Sequence, residues 1–162
     1  MKRKMYKFLS VVFILIGTHN MVFGQIDTSK TIVDDIQFDL KEVKVSANKD
    51  TLEVSFFLIS YAEHPREFRL NNFASQLFDE SGNGHFFDAI QMGQVRVLFA
   101  ARQNYLDYLL QNNTPVELKI RYPFDSKSNR AEYTKLVFQE NSNEGRFLEV
   151  EIPLQSKGNE AK

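Results

Sequence analysis

From residue 36 onward the chain alternates between apolar and polar positions. IQFDL (36–40) sets Ile36, Phe38 and Leu40 on one side, the period of two that a half-buried strand shows. The apolar phase then slips to Val43 and Val45. That slip predicts a bulge near Lys41–Glu42, because a period-two ladder otherwise keeps its faces. TLEVSFFLIS (51–60) puts Leu52, Val54, Phe56 and Leu58 on one face and adds Phe57 and Ile59 on the other. This predicts a central strand covered on both sides at its far end. ANKD (47–50) reads as the hairpin turn between these two strands.

Further strand-like runs follow at EFRLNNFASQLF (67–78), HFFDAIQM (85–92), QVRVLFA (94–100), LKIRYPF (118–124), YTKLVFQ (133–139) and RFLEVEIPL (146–154), with DSKSNRAE and ENSNEG as polar turns. One segment departs from alternation. In RQNYLDYLLQ (102–111), Tyr105, Leu106, Tyr108, Leu109 and Leu110 follow i, i+3, i+4 spacing. The spacing predicts roughly two or three helical turns across one end of the fold, stopped by Asn112, Asn113 and Pro115. The sum, about seven to nine short strands and one short helix, is the pattern of an all-β antiparallel sandwich. It occupies residues 36–154, between a flexible lead-in (25–35) and a disordered polar tail (155–162).

The amino terminus carries a different signal. Lys2, Arg3, Lys4 and Lys7 precede the apolar run Phe8–Gly17, which falls well short of the roughly 20 residues that a bilayer requires. Val22 and Gly24 stand at −3 and −1 of a cut before Gln25. Residues 1–24 are thus expected to be a secretory signal peptide. The destination is the periplasm or the cell surface, or the medium, of a Gram-negative bacterium. The chain has no cysteine, so neither a lipid anchor at the cut nor a disulfide framework is expected. The 138 residues after Gly24 suffice for one domain held by its core. They lose four of the 20 Lys and Arg and none of the 21 Asp and Glu, leaving a net charge of −5. An acidic domain argues against a nucleic-acid partner, since phosphate binding calls for a basic patch.

Candidate chemistry centres on DESGNGHFFDAI (79–90). A calcium loop of EF-hand type needs oxygen ligands at positions 1, 3 and 5, glycine at 6 and a bidentate Glu at 12. Asp79, Ser81, Asn83 and Gly84 meet the first four, but Ile90 stands at the twelfth and Asp88 at the tenth. The flanks are strand-like where an EF-hand needs helices. The favoured reading is a hairpin turn, for which SGNG supplies residues tolerant of positive φ. A calcium site from Asp79, Ser81, Asn83 and Asp88 is the alternative, with no other cofactor expected. His85 and Asp88, three apart on an extended strand, face opposite ways and make a poor metal or acid/base pair. No HExxH, no G-x-S-x-G and no phosphate-binding glycine loop is present. Enzyme activity is not expected, and a carboxylate-based hydrolase is the remote alternative.

Aromatic residues are the remaining lead. The chain beyond Gly24 holds 12 Phe and five Tyr but no Trp. Tyr61, Tyr105, Tyr108, Tyr122 and Tyr133 either cap the core or line a patch. Phe86 and Phe87, adjacent on a strand, face opposite sides, so one of them is exposed unless a second layer covers it. Phe86, Phe87, Tyr105 and Tyr108 are therefore the candidate partner contacts. Lys119 and Arg121 share the solvated side of a strand, whereas Arg66 and Arg69 do not share a face.

VSANKDTLEVSFFLIS as an opening hairpin, LFDESGNGHFF as a turn, and LLQNNTPVELKIRYPF as the approach to a long alternating strand resemble the secreted immunoglobulin-like β-sandwich families of unknown function found in bacteria. The resemblance spans residues 36–140 and departs at Asn113–Thr114–Pro115, where those families carry a single Pro or Gly. It implies a sandwich, a location outside the cytoplasm and protein binding, and it transfers no catalytic residue. The expectation is an exported, non-enzymatic binding or accessory module. Its partner is another protein, met by a sheet edge or by loops. A calcium- or carbohydrate-binding module using the 79–88 loop is the alternative.

Overall fold

The computed structural model describes residues 31–154. The expected signal peptide, residues 25–30 of the lead-in and the tail at 155–162 lie outside the described residues. The described part is all-β. The strands are β1 (Thr31–Val33), β2 (Ile36–Val45), β3 (Thr51–Ser60), β4 (Arg66–Asn71), β5 (Gln76–Asp79), β6 (Gly84–His85), β7 (Ala89–Met92), β8 (Val95–Leu98), β9 (Tyr105–Leu110), β10 (Val116–Pro123), β11 (Ala131–Gln139) and β12 (Phe147–Pro153). A single 3₁₀ turn, Phe99–Ala101, follows β8. Twelve strands stand where seven to nine were expected, because two runs break, one strand lies in the expected lead-in and one in the expected helix. The run 67–78 breaks at residues 72–75, and the run 85–92 breaks at 86–88 where the chain changes sheet. Residues 31–33, inside the expected flexible lead-in, are the edge strand β1.

Two antiparallel sheets face each other. The first runs β1-β2-β3-β10-β7-β8. The second runs β6-β5-β11-β4-β9, with β12 on the other side of β11. Strands β5 and β4 lie along the same side of β11, β5 beside Ala131–Lys135 and β4 at Phe138. In the gap between them, Ser75 Oγ accepts the Val137 N–H at 2.9 Å. That hydroxyl replaces the ladder bond the break would leave unmade. The core is one cluster drawn from both inner faces: Ile36, Phe38, Val54, Phe56, Leu118 and Ile120 against Phe68, Leu70, Leu106, Leu136 and Phe138, among others.

The slip in the apolar phase of β2 is a bulge. Leu40 pairs with Phe56 and Glu42 with Ser55, leaving Lys41 unpaired. Strand β3 is central, between β2 and β10, but among the described residues no second layer covers its outer face. Phe57 is only half-buried, with the Lys41 ammonium 5.0 Å from its ring centroid.

The predicted helix at 102–111 is a strand. Tyr105–Leu110 is β9, paired with β4 from Arg66↔Leu110 to Asn71↔Tyr105. Leu106 and Leu110 are buried, Tyr108 half-buried, and Tyr105, Asp107 and Leu109 exposed. The true period is two. Apolar residues on the outward face supplied the false helical spacing, because Tyr105 finds a ring partner there and Leu109 stands exposed.

Two features set the edges. Gly93, in the β7–β8 turn, has φ +56°, and a Cβ there would fall 2.7 Å from Tyr108 Oη. Only glycine lets the end of the first sheet approach β9 so closely. At the opposite edge, Asp34 and Asp35 both take positive φ (51° and 56°) in the tight β1–β2 turn, the conformation of a type I′ hairpin.

Candidate functional surface

The β5–β6 turn organises itself around Asp79. This residue closes β5 on the inner side of the sheet and is 2% exposed. Its Oδ1 accepts the backbone N–H of Ser81 (3.0 Å) and of Asn83 (2.9 Å). The Asn83 side-chain amide donates to both carboxylate oxygens, and His85 Nε2 donates to Oδ2 at 3.0 Å. The His85 bond first, then the Asn83 backbone N–H, hold the Asp79 carboxyl below its ordinary range, at about 2. The His85 ring meets Phe124 edge-on at 5.0 Å between centroids. Gly82 takes φ +78° at the tip. These contacts describe a hairpin turn whose carboxylate is already committed to the chain's own donors.

The four residues weighed as calcium ligands are thereby divided. Asp79 and Asn83 converge, Ser81 contributes its backbone N–H, and Asp88 leaves for the first sheet. There the Asp88 carboxylate pairs with Arg121, accepting Nε at 2.8 Å and a second, shorter bond from Nη2. Among the described residues, no three His, Asp or Glu side chains are grouped to hold a metal ion. The Asp79–His85 contact escaped the sequence reading, although the hairpin register contains it. Leu77 opposes His85 and Phe78 opposes Gly84, so His85 shares the face of Asp79 as its diagonal neighbour.

The expected consequences are measurable. Millimolar calcium should leave the melting temperature unchanged. A folded pKa of about 2 lies below the value near 4 of an unfolded aspartate. The carboxylate therefore stabilises the fold above about pH 4, and that contribution is lost as pH falls towards 2. Asp79→Asn should flatten the acid limb of melting temperature against pH between 5 and 2. An unaltered limb would show that the turn does not draw stability from the ionised form.

The second cluster is apolar and lies where the chain passes from β6 to β7. Phe87 is buried, whereas Phe86 remains 47% exposed. Leu98, the last residue of β8, and Phe99, the first of the 3₁₀ turn, are 44% and 42% exposed. Four rings join here. Phe99 lies 5.7 Å from Phe73, 6.1 Å from Phe86 and 5.6 Å from Phe87, and Phe73 lies 5.7 Å from Phe87. Phe73 comes from the break between β4 and β5, so three separate segments build this surface.

The surface adjoins a strand edge. Among the described residues, strand β8 pairs only with β7. Phe99 N–H donates to the Asp88 carbonyl at 3.0 Å, which turns the Phe99 amide towards β7. By antiparallel alternation, the amides and carbonyls of Arg96 and Leu98 then point away from β7, towards the open edge. Their side chains stand on the outer face of the sheet.

The remaining tyrosines do not join this surface. Tyr105 stacks on Phe147 (5.9 Å) on the outer face of the second sheet, with the Arg69 guanidinium 5.6 Å from its centroid. Tyr108 is half-buried against Gly93. Tyr61 donates to Gln37 Oε1 at 2.6 Å, Tyr133 stacks on Phe78, and Tyr122 is wholly buried. Of the four candidate contacts, Phe86 and Phe87 thus share one cluster, and Tyr105 and Tyr108 lie on opposite faces of β9. Phe73, Leu98 and Phe99 were missed, because their assembly depends on the path of the chain between sheets and not on local spacing. No protein-family model matches the chain, and no curated protein is significantly similar to it.

Proposed function

We propose that this protein is an exported, non-enzymatic binding or accessory module with an immunoglobulin-like sandwich fold. Its partner is another protein, docked along the open edge of β8 and on the phenylalanine surface at its end. The observation that carries the reading is the exposure of Phe86, Leu98 and Phe99 together. Clustered apolar side chains in water are unfavourable unless something covers them, and contiguous patches of this kind mark interaction sites. The outward amides and carbonyls of Arg96 and Leu98 supply the backbone half of such a contact, as in strand addition. Export and the immunoglobulin-like assignment rest on the amino-terminal pattern and on the two-sheet antiparallel build.

The test compares two surface variants for capture of envelope proteins. Phe86→Ser/Phe99→Ser should keep its cooperative melt and lose the captured partner. Leu109→Ser, on the exposed face of β9, should retain it. Equal capture by all three proteins would remove the β8 end from the binding surface.

A further inference from the structure

The outer face beside β8 carries charge as well as apolar surface. Cross-strand register aligns two rows of side chains. One row is Lys119, Gln91 and Arg96; the other is Glu53, Arg121, Ala89 and Leu98. Ala89 is the smallest of them, and over it the face sinks into a concavity of about 120 Å³ lined by Glu53, Ala89, Gln91, Arg96, Lys119 and Arg121. The three cations are not equivalent. Arg121 is neutralised by Asp88 and faces Glu53 across the ladder. Lys119 lies 3.6 Å from Glu117. Arg96, on the edge strand itself, has no ion-pair partner among the described residues.

A charge on an edge strand ordinarily discourages pairing with other chains. Here it stands two residues before Leu98, on the same outer face, with the phenylalanine surface just beyond. A strand added along β8 would bring its own alternate side chains to that face. One would lie beside Arg96 and the next beside Leu98 and Phe99. An apolar segment without a counter-charge would leave the guanidinium partly desolvated and unpaired, at a cost. A segment with a carboxylate at that position would pair with it, and Arg favours bidentate carboxylate contact.

We infer that the partner segment is an extended acidic strand, with Asp or Glu two residues from a large apolar side chain. The carboxylate sits over the Arg96–Ala89 concavity and the apolar residue sits on Leu98 and Phe99. This rests on the β8-edge reading of the previous subsection and specifies the chemistry of its partner.

The experiment titrates the purified protein with blocked, threonine-rich heptapeptides at low ionic strength, followed by backbone amide shifts. One peptide carries Glu-Thr-Phe at its centre, a second Lys-Thr-Phe and a third Gln-Thr-Phe. The Glu peptide should shift the Arg96 and Leu98 amides saturably and bind about tenfold tighter than the Lys peptide, with the difference shrinking as salt is raised. Arg96→Glu, a surface change that leaves the fold intact, should reverse the order. Equal binding of the three peptides at the β8 edge would overturn the acidic preference and leave the edge reading standing. Absence of any shift at Arg96 and Leu98 with every peptide would overturn both.

Discussion

Phe138→Ala is expected to be the most damaging single substitution, lowering stability by about 3–5 kcal/mol. Phe138 lies on β11, which runs through the middle of the second sheet, and its side chain is fully buried. Its ring meets Phe68 on a neighbouring strand at 5.5 Å and Phe38 on the facing sheet at 5.3 Å. Truncation removes contact with both sheets at once, and strands paired on either side of β11 leave the surroundings little freedom to collapse into the void. Phe138→Leu keeps most of the volume and should cost about 1–1.5 kcal/mol. Denaturant unfolding checks this pair: the midpoint should fall in both variants, much further for alanine, with the slope unchanged. At roughly 3 °C per kcal/mol for a domain of this size, alanine should also lower the melting temperature by about 10–15 °C. A loss below about 1 kcal/mol for alanine would mean that the two sheets are not held together at this ring.

Strand β2, whose two faces differ in polarity, and the ten-residue β3, long enough for its alternation to show through Phe57 and Ile59, were legible in the sequence, whereas the six-residue β9 was not. Strand β2 betrayed even its bulge, because Lys41 is the residue that the slip from Leu40 to Val43 leaves over. Strand β9 misled because YLDYLL mixes two populations. Leu106, Tyr108 and Leu110 face the core, while Tyr105 is apolar for an outward reason, its stack on Phe147. Merged, the two sets mimic a helical stripe. The break at residues 72–75 was equally opaque, since it depends on Ser75 reaching Val137, 62 residues away.

The same division applies to the functional surface. That Phe86 and Phe87 part company follows from period two and needs no structure. That Phe99 and Phe73 join them follows only from how the chain crosses between sheets. The acidic loop shows the converse. Its spacing resembled a ligand set because an Asp at the start of a tight turn and an Asn near its end are what the turn itself uses. Asp79 and Asn83 satisfy each other and the backbone, so the turn by itself accounts for these residue types at this spacing.

A buried ion pair ties the two sheets at the end opposite that turn, and breaking it should be the next largest loss. Arg66 opens β4 on the inner face, with its side chain 2% exposed. Its Nη1 donates to the Asp34 carbonyl at 2.5 Å and its Nη2 to Asp34 Oδ2 at 2.7 Å. Asp34 belongs to the β1–β2 turn of the other sheet, and its Oδ2 also accepts the Asn141 N–H at 2.9 Å. Arg66→Met keeps the aliphatic bulk but strands a largely desolvated carboxylate, and it should cost about 3 kcal/mol. Arg66→Lys should rescue little, because one ammonium cannot serve the carbonyl and the carboxylate in the planar fork geometry. Adding Asp34→Asn to Arg66→Met removes the stranded charge and suits the positive φ of that position. The double variant should therefore recover at least about 1 kcal/mol, a coupling that the four-protein cycle reads directly. The loss in Arg66→Met should persist at high salt, since a pair this enclosed is barely screened. Additive effects of the two substitutions would mean that Arg66 stabilises through its packing alone and that the brace between the sheets is not electrostatic.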